Sequence, residues 1–147
     1  MKSVLQTPVA SIEVLEEAGR LESVRFVENG GPTGPKGPVA GLIQEYLEGR
    51  HIDLTRVPVN LDGFTDFERQ VLEATRAIPP GETRTYGEIA AAIGNPHAAR
   101  AVGNALNANP VSIVVPCHRV VAAHGPGGFG AGLPVKGYLL GLEGVLL

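Results

Sequence analysis

The sequence predicts an α+β fold: a small N-terminal β-sheet lobe with one helix, packed on a mainly helical C-terminal lobe that carries a helix-turn-helix. Three features point there. Apolar residues alternate with polar ones between positions 11 and 27, whereas from residue 64 onward they recur at helical spacing. Thr-x-x-Glu capping signals precede two of the later segments. Between the two regimes, VPVNLDG (57–63) reads as an extended link, so the lobes are drawn as 1–60 and 61–147. A chain of 147 residues with 44% hydrophobic content has enough apolar surface for one domain or two small lobes.

Taken in order, SIEVLEEAGRLESVRFV (11–27) reads as a hairpin of two alternating strands around Glu17-Ala18-Gly19-Arg20. NGGPTGPKGP (29–38) is a Gly/Pro loop, expected to be flexible. VAGLIQEYLEG (39–49) is a helix with Leu42, Tyr46 and Leu47 on one face and Gly49 at its end. FTDFERQVLEATRAI opens on Thr65 and Glu68, and Phe67, Val71, Leu72 and Ile78 mark its buried side. PPGET (79–83) turns the chain. TYGEIAAAIG repeats the capping device with Thr85 and Glu88 and stops at Gly94. Asn95 and Pro96 then read as the cap and first residue of a further helix, HAARAVGNALNAN, which completes a helix-turn-helix. Pro110 bars more helix, VSIVV (111–115) reads as a short buried strand, and Pro116 forces a turn. GPGGFGAGL (125–133) is a glycine-rich loop and PVKGYLLGLEG (134–144) a closing helix.

Composition narrows the function. No run of 18 apolar residues exists, which excludes a helical membrane span, and MKSVLQTPVASIEV lacks the charged and apolar regions of a secretory leader. One cysteine and four histidines show no metal-ligand spacing. A single cysteine forms no internal disulfide and fits a reducing cytoplasm. The net charge of −3 argues against nucleic acid taken whole. Its distribution argues otherwise, because between residues 84 and 136 Arg84, Arg100, Arg119 and Lys136 are opposed by Glu88 alone.

That lone thiol, Cys117, follows Pro116 and precedes His118 and Arg119. An ordinary cysteine is only a few per cent thiolate at neutral pH, and either neighbour could shift it, or His118 could act as its general base. The plainer alternative is a thiol that fills the core. Packing alone gives little reason to end a buried segment in Cys-His-Arg.

PCHRVV, preceded by IPPGETRTYGEIA and ARAVGNALNANP and followed by GLPVKGYLLGLEG, resembles the O6-alkylguanine-DNA alkyltransferases from about Phe64 to Gly144, in order and with nearly constant spacing. TPVA and LIQEYLEGR extend the resemblance weakly into the first half. The resemblance implies repair without a cofactor: double-stranded DNA containing O6-alkylguanine, or O4-alkylthymine, is bound, the damaged nucleotide is flipped, and its alkyl group passes irreversibly to Cys117. It also implies minor-groove binding with little sequence preference, by a protein that is monomeric in solution and cytoplasmic.

Roles carried over by the resemblance are these. Cys117 accepts the alkyl group, His118 is its base through a water, and Glu143 orients the imidazole. Tyr86 faces the flipped base and can donate a proton to it, and Lys136 is the active-site lysine. Asn109 ties the recognition helix to the active-site turn. Arg100 inserts into the duplex, where Ala101, Gly103 and Asn104 keep the helix slim enough for the minor groove, and Arg84 and Thr85 join them on the DNA side. Val120, Phe129 and Gly130 line the pocket with Tyr86. No metal is implied. On the residues alone, Glu143 also reads as an exposed helix-end acid, Lys136 as a solvated amine, Tyr86 as a half-buried aromatic and Asn109 as a helix exit. Three positions depart from the family: Phe129 stands for a frequent tyrosine, Gly130 for serine and Leu72 for tryptophan. Two rival readings are a lesion binder that performs no transfer and a helix-turn-helix regulator with a sensor thiol. A third, a cysteine hydrolase, lacks any oxyanion signal beyond the Cys-His pair.

Overall fold

The computed structural model describes residues 1–32 and 34–146. They form two units: Met1–Asn60 joined by the later segment Pro110–Val114, and Leu61–Asn109 joined by the chain from Val115 on.

In the first unit β1 (Lys2–Gln6), β2 (Ser11–Glu17) and β3 (Arg20–Val27) form an antiparallel sheet in the order β1-β2-β3. The predicted β2–β3 hairpin is present. Ala18 and Gly19 both take positive φ, 51° and 79°, the two-residue turn whose twist matches its strands. β1 escaped the sequence pattern because Ser3, Val4 and Leu5 are buried in succession and do not alternate. Register sets Ile12 between Leu5 and Phe26, and Val14 between Ser3 and Val24.

Glu16 keeps the alternation of Ile12 and Val14 and so points inward, 2% exposed, while the register shift at Leu15/Glu16 leaves Glu22 of β3 unpaired. Its carboxylate accepts the N–H groups of Val39 (3.1 Å) and Ala40 (2.9 Å) at the start of α1 (Pro38–Leu47). This satisfies a helix end whose capping residue, Gly37, has no side chain to do so. A Cβ at Gly37 would strike that same carboxylate, so the approach requires glycine. The expected flexibility of the 29–38 loop falls partly on position 33, outside the described residues; 29–32 and 34–37 contain no helix or strand.

The open edge of β3 is covered by irregular chain. Leu21 N–H donates to Pro58 O (2.8 Å), Asn60 N–H to Leu21 O (2.9 Å) and Val24 N–H to Pro110 O (2.8 Å). The strand expected over 111–115 does not form. Val111 bridges Val24, and the chain then turns at Ile113 and Val114, with Ile113 at φ 76°. Positive φ on a β-branched residue costs on the order of 1–3 kcal/mol. Residues 111–120 are all buried, so the apolar run reflects burial rather than strand pairing, two causes that periodicity cannot separate.

The second unit holds α2 (Asp66–Arg76), β4 (Arg84–Thr85), α3 (Tyr86–Ala92), α4 (Ala99–Asn107), β5 (Val120–Val121) and α5 (Leu133–Leu142). Both capping boxes form, Thr65 with Glu68 and Thr85 with Glu88. α2 buries Val71, Leu72 and Thr75, α3 buries Ile89 and Ala90, and α4 buries Val102, Ala105 and Leu106. α3 and α4 make the helix-turn-helix, but α4 starts at Ala99 rather than Pro96. Ala98 N–H donates to Asn95 O (3.0 Å) and closes a turn over 95–98, so the Asn-Pro pair opens a turn instead of a helix. β4 and β5 pair in parallel, Arg84 with Val120 and Thr85 with Val121.

Candidate active site

Pro116 has φ −80° and ψ 66°, the inverse γ-turn conformation, and Cys117 N–H donates back to Val115 O (2.8 Å). Cys117, His118 and Arg119 then form one 3-10 turn. Asn109, beyond the end of α4, donates from Nδ2 to Val115 O (3.1 Å) and so joins the helix exit to the turn. The short β4–β5 pair holds Tyr86, the first residue of α3, beside the chain that leaves Arg119. Two-residue strands carry no periodicity, so this link was not legible in the sequence. The thiol of Cys117 is 7% exposed.

His118 is fully buried, with Nε2 2.8 Å from Glu143 Oε2. A carboxylate only accepts, so Nε2 carries the proton and Nδ1 is left with the lone pair that can act as a base. Burial pushes the imidazole below its ordinary pKa and the bond to Glu143 pulls in the opposite direction; Arg119 and Lys136 add a smaller downward push. Glu143 follows the last turn of α5, and its side chain is 2% exposed. The alternative reading of Glu143 as a solvated helix-end acid is thereby removed.

Arg119, a neighbour that could shift the thiol, has its guanidinium hydrogen-bonded to Glu143 and Ile78: Nε donates to Glu143 Oε1 (2.9 Å), Nη2 to Glu143 Oε2 (2.8 Å) and Nη1 to Ile78 O (2.6 Å). Lys136 is a cation that interacts with Cys117. It is buried despite its charge, and Nζ donates to Val120 O (2.6 Å) and Gly128 O (3.0 Å). Burial pushes its pKa down to about 8, while charge on Cys117 favours the ammonium form. Lys136 is not the solvated amine that composition would suggest.

Tyr86 is half-buried, and its hydroxyl meets the glycine-rich loop, accepting from Gly128 N–H (3.3 Å) and lying 3.4 Å from Gly128 O. Gly127 has φ 73°, and a Cβ there would sit 2.8 Å from the Tyr86 hydroxyl, so loop and ring meet only because residue 127 is glycine. Gly103 on α4 faces the same ring: its Cβ would fall 3.9 Å from two ring carbons. Val120 is fully buried, Phe129 half-buried and Gly130 exposed. Arg100, Ala101 and Asn104 are exposed on α4. Arg84 pairs with Glu82 (3.0 Å) and donates to Thr83 O (2.9 Å), and the Thr85 hydroxyl caps α3. Among the described residues no group of three or more His, Cys, Asp or Glu side chains is placed to hold a metal ion, and no helix is long and apolar enough to cross a membrane.

Cys117, His118, Glu143, Lys136, Tyr86 and Asn109 therefore lie within one unit, on elements that contact the Cys-His-Arg turn directly or through one intermediary. A residue that sequence reasoning left without a place in the site is Arg119, which hydrogen-bonds to Glu143. Such a constellation suits nucleophilic displacement by a sulfur whose proton is taken by a buried, oriented imidazole.

The family model described as 6-O-methylguanine DNA methyltransferase, DNA binding domain, matches residues 66–145. A protein of Acanthamoeba polyphaga mimivirus, named probable methylated-DNA–protein-cysteine methyltransferase, is 39% identical over 95% of this chain and 94% of its own length. A Methanosarcina acetivorans protein named methylated-DNA–protein-cysteine methyltransferase is 58% identical over 54% of this chain, a match that spans 52% of that relative. Among solved structures, that of Mycobacterium tuberculosis OGT in complex with DNA superposes with a TM-score of 0.83 at 38% identity, over 97% of this chain and 91% of the other.

Proposed function

The chain belongs to the 6-O-methylguanine DNA methyltransferase family, and we propose on that premise how its own residues carry out the repair. The protein removes alkyl groups from DNA directly, as a methylated-DNA–protein-cysteine methyltransferase. The observation that carries the residue assignment is the single cysteine, set in a tight turn next to a buried His118–Glu143 pair and coupled to a buried lysine.

In this reading His118 Nδ1 takes the proton of Cys117 through an intervening water, leaving thiolate and imidazolium, the latter stabilised by Glu143. Sulfur forms a bond to the alkyl carbon as the carbon–O6 bond breaks, and the electron pair passes into the guanine. Tyr86 donates a proton to that base and recovers one at the end from the imidazolium, so the reaction balances as thiol plus O6-alkylguanine giving thioether plus guanine. No cofactor enters the balance. Lys136 favours the thiolate by its charge and holds the Gly128 wall against Tyr86. The thioether is stable, so each chain reacts once.

The DNA reading rests on exposed Arg100, Ala101 and Asn104 and on Gly103, which form a slim basic face on α4 suited to the minor groove. Arg84 and Thr85 flank that face. Arg100 fills the space of the flipped nucleotide by stacking. O4-alkylthymine is a second substrate, the protein acts as a monomer with little sequence preference, and a reduced cytoplasm keeps its thiol competent. The chemistry is assigned to the unit that begins at Leu61.

A titration tests this. With duplex O6-methylguanine DNA in excess, product is expected to stop at one lesion per protein chain, and Cys117→Ser to give none. Continued turnover would indicate a hydrolase, and tight lesion binding with no product would indicate a protein that only recognises damage. Either result contradicts the proposal.

A further inference from the structure

We propose that Arg119 is a positioning residue for the transfer: it clamps the Glu143 carboxylate in the orientation that fixes the His118 tautomer. The proposal rests on the reaction given under Proposed function and deepens it.

Glu143 closes α5 at the end where backbone carbonyls gather, and it is buried there. A carboxylate in such a place is unfavourable unless a cation meets it. Arg119 does so as a two-pronged fork, with Nε on Oε1 and Nη2 on Oε2. Both oxygens are thereby fixed, and Oε2 remains in line for His118 Nε2 at 2.8 Å. The third prong, Nη1 on Ile78 O, anchors the guanidinium to the chain just after α2 and stops it from turning with the carboxylate. A lysine, with one terminal ammonium, cannot reproduce three divergent bonds.

The charge of Arg119 acts in the same direction as burial. His118 is faced by Glu143, which favours its protonated form, and by Arg119 and Lys136, which disfavour it, within a site where burial also disfavours it. Removing Arg119 weakens the opposition to the carboxylate, leaving burial and Lys136 against it. The site then holds a proton to higher pH and loses its base. Removing Glu143 has the opposite sign.

The test is the pH dependence of methyl transfer from an O6-methylguanine duplex to the full chain, for Arg119→Gln, Arg119→Lys, Glu143→Gln and the double variant Arg119→Gln/Glu143→Gln. Arg119→Gln is expected to lower the maximal rate by on the order of 10-fold, the scale of loss when a support of an active side chain is removed, and to move the acid limb to higher pH. Arg119→Lys is expected to lose rate while its acid limb stays near wild type. Glu143→Gln moves the limb to lower pH. The double variant leaves no unpaired buried charge and so stays folded if Arg119→Gln does not; it should transfer no more slowly than Glu143→Gln alone. A wild-type rate and limb in Arg119→Gln, or a further 10-fold loss in the double variant, overturns the proposal. Failure of wild type itself to methylate Cys117 would remove the underlying reaction, whereas transfer by wild type with unaffected Arg119 variants removes the clamp alone.

Discussion

Three consecutive residues make the site, two of them converging on Glu143. In a 3-10 turn successive side chains diverge by about 120°, so Cys117, His118 and Arg119, adjacent in the chain, need not meet one another. His118 and Arg119 both reach Glu143, from different sides. Adjacency in sequence left open whether Arg119 acts on the thiol; its hydrogen bonds go to Glu143 and Ile78 O. Lys136 is a cation that does interact with Cys117, and its lowered pKa has a visible consequence. Transfer is expected to decline as pH rises through about 8, where the ammonium is lost; a rate that keeps climbing well above that point would contradict the coupling. Stability moves in the other direction. The unfolded chain holds this proton up to the ordinary value of 10.5 while the folded chain releases it near 8, so between those limits the unfolded state binds more protons and wild type gains stability with rising pH. Lys136→Met should lack that gain in denaturation curves at pH 8 and 10. Cys117 and His118 were legible because thiol and imidazole are rare and adjacent. The roles of Glu143 and Lys136 came from the family pattern, since an acid or amine near a helix reads equally well as solvated.

Helices with chemical start signals were legible, and elements made by tertiary pairing were not. Thr65 with Glu68 and Thr85 with Glu88 announce α2 and α3, and both boxes form. The Thr85 cap also sets where Tyr86 starts α3. Thr85→Ala should cost about 1 kcal/mol of stability and slow transfer as the α3 terminus frays, checked by thermal unfolding alongside single-turnover rate. Equal stability would mean that the cap carries no weight. By contrast β4 and β5 exist only because two dipeptides far apart in sequence meet, and β1 buries three residues in a row. The run 111–115 misled for a related reason: it is apolar because it is enclosed, and Ile113 turns where strand periodicity predicts extension.

For the molecule as a whole, net charge is a weak guide to its partner. If, as proposed, a −3 chain engages DNA through a local face on α4 whose small residues admit close approach, few phosphates need neutralising and the salt dependence of binding should be shallow. Arg100→Ala is expected to reduce repair of duplex O6-methylguanine far more than reaction with free O6-benzylguanine, because only the duplex has a vacated space to fill. Equal losses on the two substrates would refute the stacking role. The resemblance, strongest from Phe64 to Gly144, made the reaction legible because motif and spacing agree across several elements. In the first unit the β2–β3 hairpin and α1 were legible, whereas β1, the bulge on β3 and the irregular edge cover leave little pattern.

The most direct measurement is the mass of the proteolytic peptide containing Cys117 after one incubation with O6-methylguanine duplex. A peptide heavier by one methyl substitution, with fragmentation locating it on the sulfur of Cys117, is the expected result. An unaltered Cys117 peptide recovered from protein that has bound the lesion, or a methyl group found on any other side chain, would contradict the account.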